Sequence, residues 1–432
     1  MADSPDKSPE TANAQQVRRT IDAVWRMESA KLIAVLARML HDVGLAEELA
    51  QDALVTALEQ WPQTGVPENP GAWLMTTAKH RAIDRLRRHQ LQQRKHEELG
   101  YEIELHQPVH EEDIVDALDD PIGDDLLRLV FTACHPVLSQ DARVALTLRL
   151  LGGLTTDEIA RAFVVPEPTI AQRIVRAKRT LAEANVPYEV PRGEDLVERL
   201  AAVLAVVYLI FNEGYSATAG EHWLRPHLCE DALRLGRVLA GLMPQQAEVH
   251  GLVALMEIQA SRAGARTGPS GEPILLLDQD RARWDRLLIG RGLAALERAE
   301  KLASTRGIYT LQAAIAACHA RALRPEDTDW ASIVGFYGEL SRLTGSPIVE
   351  LNRAVALSML FGPASGLELV DALAGDPALA RYHLLPSVRG DLLFKLGRKD
   401  EARAEFTRAA EMTRNERERD LLLERAAACI AS

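Results

Sequence analysis

Residues 153–182 read GLTTDEIARAFVVPEPTIAQRIVRAKRTLA, and this stretch decides the fold of its surroundings. Thr155 or Thr156 supplies the hydroxyl cap of a first helix, and the two acids that follow suit a helix N-terminus. Pro166 then interrupts the helix, because a proline lacks the backbone N–H that the next turn needs. A second amphipathic helix follows at once. The sequence therefore predicts two short helices joined by a tight turn.

Positive charge is clustered on the second of these helices alone. Ile170, Ile174 and Ala177 recur at helical spacing and predict its buried face. The opposite face carries side chains that can bond base edges and phosphates from within a major groove. These side chains are Thr169, Gln172, Arg173, Arg176, Lys178 and Arg179. We interpret the stretch as a DNA-binding helix-turn-helix, in preference to a charged helix that merely faces solvent.

Composition predicts an all-α protein of several domains. The chain has 432 residues and only 5% aromatic residues, and alternating β-branched runs are nearly absent. No apolar run reaches the ~18 residues of a membrane span, and no signal peptide is evident, so we expect a cytoplasmic protein without membrane contact. The four cysteines are far apart and form no CxxC pair. This pattern argues against a disulfide framework, and we expect no metal and no cofactor.

Charge is unevenly distributed along this acidic chain. A net charge of −12 argues against nonspecific coating of DNA. Residues 79–95 nevertheless contain many cations and a single acid, whereas residues 97–127 contain twelve acids and neither Lys nor Arg. Two basic segments separated by an acidic tether indicate two DNA-contacting modules.

This order of segments resembles the extracytoplasmic-function (ECF, group IV) sigma factors of bacterial RNA polymerase. Residues 45–55, LAEELAQDALV, look like the family helix that binds the clamp helices of the largest polymerase subunit. Leu45 stands where the family often has Asp. The resemblance implies a role in binding core RNA polymerase for Glu47, Glu48, Leu49, Gln51 and Asp52.

Residues 70–88, PGAWLMTTAKHRAIDRLRR, are similar to the family stretch that melts and reads the −10 promoter element. The Pro/Gly-rich loop at residues 62–71 precedes it, where the family captures an extruded base. The resemblance implies −10 contacts by Asn69, Trp73, Lys79, His80, Asp84, Arg85 and Arg88. His80 replaces a usual Asn, and Trp73 is alternatively a core residue. The helix-turn-helix is similar to the family segment that reads the −35 element. The resemblance therefore implies −35 contacts for the six polar residues named above.

A further 240 residues or so follow the region that resembles a sigma factor. Near the end, Gly390, Gly397, Ala402, Phe406 and Ala409 have successive offsets of 7, 5, 4 and 3. Small and aromatic positions at this spacing are typical of a tetratricopeptide helix pair. More degenerate pairs precede it, at residues 287–321 and 330–360. The arrangement resembles a sigma subgroup with a C-terminal tetratricopeptide-like extension, which implies regulation in cis.

The predicted fold is all-α, with two small helical sigma domains followed by a tetratricopeptide-like helical solenoid. Its predicted parts are a disordered N-terminus (1–16), sigma region 2 (17–95), an acidic linker (96–124), sigma region 4 (125–190) and the C-terminal domain (195–432). We expect a sigma factor that binds core RNA polymerase and promoter DNA, with a possible protein or small-ligand partner for the C-terminal domain. A stand-alone helix-turn-helix regulator with a sensing domain is the main alternative. No catalytic constellation is evident, so we do not expect an enzyme.

Overall fold

The computed structural model describes residues 9–97, 122–163, 165–216, 224–269 and 272–431. Within these ranges the regular elements are helices, apart from one isolated bridge between Thr267 and Pro273. This confirms the predicted all-α class. The chain divides into two compact units. We call residues 1–161 and 165–206 the N-terminal unit, and residues 162–164 and 207–432 the C-terminal unit.

Three helices that pack against one another begin the N-terminal unit. They are α1 (Pro9–Leu40), α2 (Val43–Thr64) and α3 (Pro70–Glu97). Helix α1 includes residues 9–16, which the sequence analysis assigns to a disordered N-terminus; proline is well suited to the first helical position, and the alanines and glutamines after it are good helix formers. Helix α2 also extends past Pro62, where a loop is predicted to begin, because the Gly65 amide still bonds the Trp61 carbonyl at 3.0 Å.

Four shorter helices follow in the same unit: α4 (Ile122–Ala133), α5 (Gln140–Leu150), α6 (Thr156–Phe163) and α7 (Glu167–Glu183). Helix α4 packs on α1, and α5 packs on α7. Thr155 caps α6 in a reciprocal arrangement, since its hydroxyl accepts from the Glu158 amide at 3.1 Å and its own amide donates to the Glu158 carboxylate at 2.8 Å. The predicted pair of helices joined at Pro166 is confirmed.

The C-terminal unit contains the end of α8 (Gly193–Tyr215) and ten later α-helices among its described residues. From α9 onward, each helix packs against the next one along the chain, as stacked helix pairs require. The helices are α9 (Pro226–Leu242), α10 (Ala247–Ala260), α11 (Arg286–Leu302), α12 (Ile308–Arg321), α13 (Trp330–Thr344), α14 (Pro347–Phe361), α15 (Pro363–Leu373), α16 (Leu384–Lys395), α17 (Lys399–Met412) and α18 (Glu416–Ala431).

The last predicted helix pair has the expected close contact. Helices α16 and α17 approach so tightly that a Cβ on Gly390 would lie 2.9 Å from the Phe406 ring. Ala402, Phe406 and Ala409 are buried beneath it. Gly397 has a φ of +78° at the turn between the helices, a conformation that side chains disfavour. The small residues of the pattern therefore serve close helix packing, as predicted.

Most of the predicted acidic linker, residues 98–121, lies outside the described residues, as do residues 1–8. In the described part of the chain, no helix has both the length and the apolar character needed to cross a bilayer.

Candidate polymerase and promoter interfaces

Helix α2 has a buried side and an exposed side, and the residues predicted to bind polymerase divide between them. Its N-terminus is capped by Asp42, which accepts from the Leu45 amide at 3.0 Å. Glu48 is exposed, whereas Leu49 is buried in the core and anchors the helix. Asp52 is partly exposed and pairs with Arg81 of α3 at 3.1 Å. The exposed acids of α2 can therefore present negative charge to a partner surface.

Glu47 does not lie on that exposed side. Its carboxylate is 3% exposed, accepts from Arg149 of α5 at 2.6 Å and contacts Lys178 of α7. The Gln51 amide also donates to it. A carboxylate is costly to bury without such partners, so Glu47 holds α2 against α5 and α7. In this arrangement Glu47 is not available to polymerase. The Gln51 amide is directed toward Glu47.

Two apolar residues that the sequence analysis missed lie on the exposed side of α2. Val55 is 50% exposed and Leu58 is 40% exposed. They follow Glu48 by seven and ten residues, which places all three on one helix face. Exposed apolar groups beside charged ones are typical of a binding surface. We call Glu48, Asp52, Val55 and Leu58 the α2 face; helical periodicity counted from Glu48 is the signal that predicts it.

The loop before α3 is organised around its helix cap. The side-chain oxygen of Asn69 accepts a hydrogen bond from the Ala72 amide at 3.1 Å, so this oxygen caps the N-terminus of α3. Its predicted role in reading a base edge therefore competes with capping. The Trp73 ring packs edge-on against buried Trp61, with centroids 5.4 Å apart. This geometry favours the core alternative for Trp73.

Helix α3 exposes a polar face suited to a nucleic-acid backbone. His80, Asp84, Arg85 and Arg88 are exposed, as is Arg87, which the sequence analysis did not include. Lys79 is half-buried instead. Burial lowers the pKa of Lys79, the Arg38 guanidinium lowers it further, and Asp125 offsets part of this shift. Apart from Asn69 in the preceding loop, the predicted −10 residues therefore lie on α3, but not all on one face.

The second helix of the helix-turn-helix, α7, buries Ile170, Ile174, Ala177 and Leu181. Its exposed polar residues are Thr169, Gln172, Arg176 and Arg179. Residues 169, 172, 176 and 179 recur at intervals of three and four, which places them along one side of the helix. We call these four residues the α7 face. It has the dimensions and chemistry of a helix that enters a major groove.

Ion pairs already engage three of the four predicted basic residues of α7. Arg173 pairs with Asp141 at 3.1 Å, Arg179 pairs with Glu183 at 3.1 Å, and Lys178 contacts Glu47. Arg176 is exposed and forms no ion pair with any described residue. Of the four, Arg176 is therefore the one whose charge is fully available to DNA in this arrangement.

Further contacts close the N-terminal unit around α1. Arg26 pairs with Glu158 of α6 at 2.6 Å. Buried Asp125 of α4 forms an ion pair with Arg38 at 3.0 Å. The Tyr188 hydroxyl lies within hydrogen-bond distance of the Ala34 carbonyl, at 3.0 Å. Helices α1–α3 and α4–α7 are thus joined by charged and polar side chains in this conformation.

Comparison with known proteins identifies the two halves of this unit. Residues 25–92 match the family described as Sigma-70 region 2, and residues 128–181 match Sigma-70, region 4. The ECF RNA polymerase sigma factor SigK of Mycobacterium bovis is 31% identical over 156 residues, which cover 35% of this chain and 78% of SigK. The chain belongs to the ECF family of RNA polymerase sigma factors.

Other comparisons extend along this sigma factor. The probable ECF RNA polymerase sigma factor SigI of Mycobacterium tuberculosis is 24% identical over 185 residues, covering 43% of this chain and 62% of SigI. An uncharacterized protein of Rhizobium meliloti is 43% identical over 396 residues, covering 91% of this chain and 92% of that protein. Residues 199–300 match a family of unknown function, DUF6596. The sigma factor therefore carries a C-terminal extension.

The match to region 2 separates this sigma factor from the stand-alone regulator considered above. Helices α2 and α3 lie inside residues 25–92 for most of their length, and a repressor has no use for a polymerase-binding helix or a melting helix. The sigma factor family is not an enzyme class. Core RNA polymerase and promoter DNA are accordingly the partners that these domains imply.

Proposed function

We propose that this sigma factor binds core RNA polymerase with the α2 face, contacts the −10 element with α3 and its preceding loop, and reads the −35 element with the α7 face. The α7 face is the observation that carries the proposal. It combines an unpaired arginine, an amide and a hydroxyl on one side of a helix whose other side is buried. Such groups can bond guanine and adenine edges and backbone phosphates.

Promoter binding on this proposal requires the N-terminal unit to open. Elements centred near −10 and −35 lie about 25 base pairs apart, roughly 85 Å along B-form DNA. Arg81 of α3 and Lys178 of α7 pair with Asp52 and Glu47 of α2, respectively. Those two acids are five residues apart on one helix, or about 7.5 Å. Helices held this close cannot occupy both elements, so the Glu47–Lys178 contact separates before both are engaged.

We further propose that the C-terminal unit modulates this opening in cis. Helix α8 is continuous across both units. In its first half, Arg199 donates to the Phe131 carbonyl of α4 at 2.9 Å and lies 5.9 Å from the centre of the Phe131 ring. A shift of α8 therefore reaches the core of α4. Both residues of this contact belong to the N-terminal unit, so the first half of α8 is fixed to α4, the helix that begins the predicted region 4.

Reconstitution with core RNA polymerase tests the DNA-binding role. We expect Arg176→Ala to weaken binding to the −35 element by about 1–3 kcal/mol, roughly 5- to 150-fold, while co-elution with polymerase is unchanged. Arg161→Ala is the matched control, because Arg161 is equally basic and exposed but lies on α6 and pairs with Asp157. Equal losses in both variants would contradict a specific role for the α7 face.

The same assay tests the other two roles. Glu48→Lys combined with Val55→Asp should abolish co-elution with polymerase, whereas Glu198→Lys, at an exposed acid of α8, should not. For modulation in cis, the full chain is compared with a chain that ends at residue 206, which retains Arg199. Unchanged initiation from the same promoter in the shorter chain would refute modulation by the C-terminal unit.

A further inference from the structure

The C-terminal unit contains a cluster of buried and half-buried arginines and aromatic rings that no part of the proposed promoter function uses. The Arg262 guanidinium lies 5.7 Å from the centre of the Tyr215 ring and 5.8 Å from that of Trp284. The Arg281 guanidinium lies 5.1 Å from the same Trp284 ring. Arg281 also donates to the His319 carbonyl at 2.9 Å. We call Tyr215, Arg262, Arg281, Trp284 and His319 the Arg262 cluster.

Positive charge in this cluster has no matching carboxylate among the described residues. Arg262 donates to the Tyr215 hydroxyl at 2.6 Å, and Arg281 donates to backbone carbonyls and to the Thr328 hydroxyl. The acids that act on Arg281 from a distance, Glu326 and Asp327, are exposed and pair with Arg324. Burial, followed by Arg262 and Arg281, lowers the pKa of His319 to about 3, so its ring is neutral near pH 7.

Other buried charges of the same unit are balanced differently. Buried Arg225 contacts the carboxylate of Glu213, and buried Glu257 accepts from the exposed Arg237 at 2.7 Å. Each of these buried charges has a partner of opposite sign, as the cost of burying an uncompensated charge requires. The Arg262 cluster departs from this rule, and the departure needs a physical reason.

Four buried nitrogen atoms of the cluster have no hydrogen-bond partner: Arg262 Nε, Arg281 Nε, Trp284 Nε1 and His319 Nδ1. The arginine and tryptophan nitrogens are donors only. Trp284 is 3% exposed and Arg281 is 4% exposed, so solvent access does not compensate for the missing acceptors. Several buried donors around two cations therefore lack a hydrogen-bond acceptor, and an anionic oxygen would supply both the acceptor and a compensating negative charge.

Flat apolar surfaces border the cluster. Tyr208 and Tyr309 pack with ring centroids 5.6 Å apart, and the Trp330 ring lies edge-on to His319 at 5.2 Å. The Arg262 cation acts on the Tyr337 ring. Burial and Tyr208 raise the pKa of Tyr337, Arg262 opposes them, and the pKa is about 12 as a result. Rings of this kind stack on planar ligands and also accept cations at their faces.

We propose that the Arg262 cluster is a binding site for a small aromatic carboxylate. The carboxylate lies beside Trp284, where Arg262 and Arg281 supply positive charge and donors, and the planar part of the ligand packs on the neighbouring rings. Binding itself is independent of the promoter function. The further role of such a ligand as the signal that the C-terminal unit senses rests on the proposed modulation in cis.

Ligand binding is measured on the full chain by tryptophan fluorescence and calorimetry, with benzoate as the probe and benzamide as its uncharged counterpart. We expect benzoate to bind saturably and at least tenfold more tightly than benzamide. Arg262→Gln should weaken benzoate binding at least tenfold, and Arg262→Lys should weaken it less. Arg291→Gln, at an exposed arginine of α11, is the matched control and should leave binding unchanged.

Three outcomes overturn the site. They are the absence of saturable benzoate binding up to about 10 mM, equal binding of benzamide, and benzoate binding that Arg262→Gln leaves unchanged in a variant with the native melting temperature. Each would mean that the Arg262 cluster does not bind an aromatic carboxylate through the charge of Arg262. The assay does not read transcription, so its failure leaves the proposed promoter function standing, and loss of polymerase binding leaves the site standing.

Discussion

The N-terminal and C-terminal units join their helices through different chemistry. In the N-terminal unit, ion pairs connect helices far apart along the chain: Arg149 and Glu47 are 102 residues apart, and Arg26 and Glu158 are 132 residues apart. In the C-terminal unit, each helix packs on the next one largely through small and apolar residues, and ion pairs such as Arg389 with Glu405 join helices that are close along the chain. Charged groups recover hydration when they separate, whereas apolar groups do not. The first unit is therefore suited to opening, and the second to staying folded.

Replacing a buried ring tests the apolar side of this comparison and has the largest expected effect. Phe406→Ala removes a ring that is 1% exposed and packs under Gly390, so the C-terminal unit should lose about 3–5 kcal/mol of unfolding free energy. The measurement is denaturant unfolding of the full chain, in which the unfolding transition of each unit is recorded separately. Phe361→Ala is the control, because Phe361 is 66% exposed and its loss should change stability by less than about 0.5 kcal/mol. Similar losses of unfolding free energy in the two variants would mean that the packing of Phe406 does not hold the C-terminal unit together.

Neutralising Glu47 tests the charged side. Glu47→Gln keeps the shape of the side chain but leaves Arg149 and Lys178 without their carboxylate, at a cost of about 1.5–3 kcal/mol to the closed arrangement. We expect α7 to separate from α2, which is measured as a longer distance between fluorophores at exposed positions 60 and 183. Glu59→Gln, on the exposed side of α2, should leave the distance unchanged. If Glu47→Gln lowered the unfolding free energy but left the distance between the fluorophores unchanged, the ion pairs of Glu47 would stabilise the fold without holding the unit closed.

The features that the sequence predicts are the local ones. The helix-turn-helix follows from a hydroxyl cap, a proline turn and a helical period, all within 30 residues. The cap at Asn69 obeys the same local rules, since Asn precedes a proline at the start of α3, although the prediction made for Asn69 is a −10 contact. The burial of Glu47 does not, because its partners come from α5 and α7. The Arg262 cluster likewise assembles from four separate segments, and no spacing in the sequence indicates it.

The contact between Arg26 and Glu158 gives the smallest expected effect and tests whether the N-terminal unit loosens in acid. Burial by itself raises the pKa of the Glu158 carboxyl, but hydrogen bonds from Thr155 and the Arg26 cation outweigh it and hold the pKa below its ordinary value of 4.5. A group whose pKa is lower in the folded state stabilises the fold above its unfolded pKa. That contribution disappears as the pH falls through the folded value.

Both side chains are partly exposed, so solvent and salt limit the contribution of Arg26 to less than about 1 kcal/mol. We expect Arg26→Gln to lower the unfolding free energy of the N-terminal unit at pH 6, and this difference to vanish once the pH has fallen through the folded pKa of Glu158. Arg161→Gln is the control: its Asp157 partner lies on the same helix, so it should show almost no effect in either pH range. An Arg26→Gln difference that persists below the folded pKa of Glu158 would mean that Arg26 acts through packing rather than charge, and the charged side of the comparison would then rest on Glu47 alone.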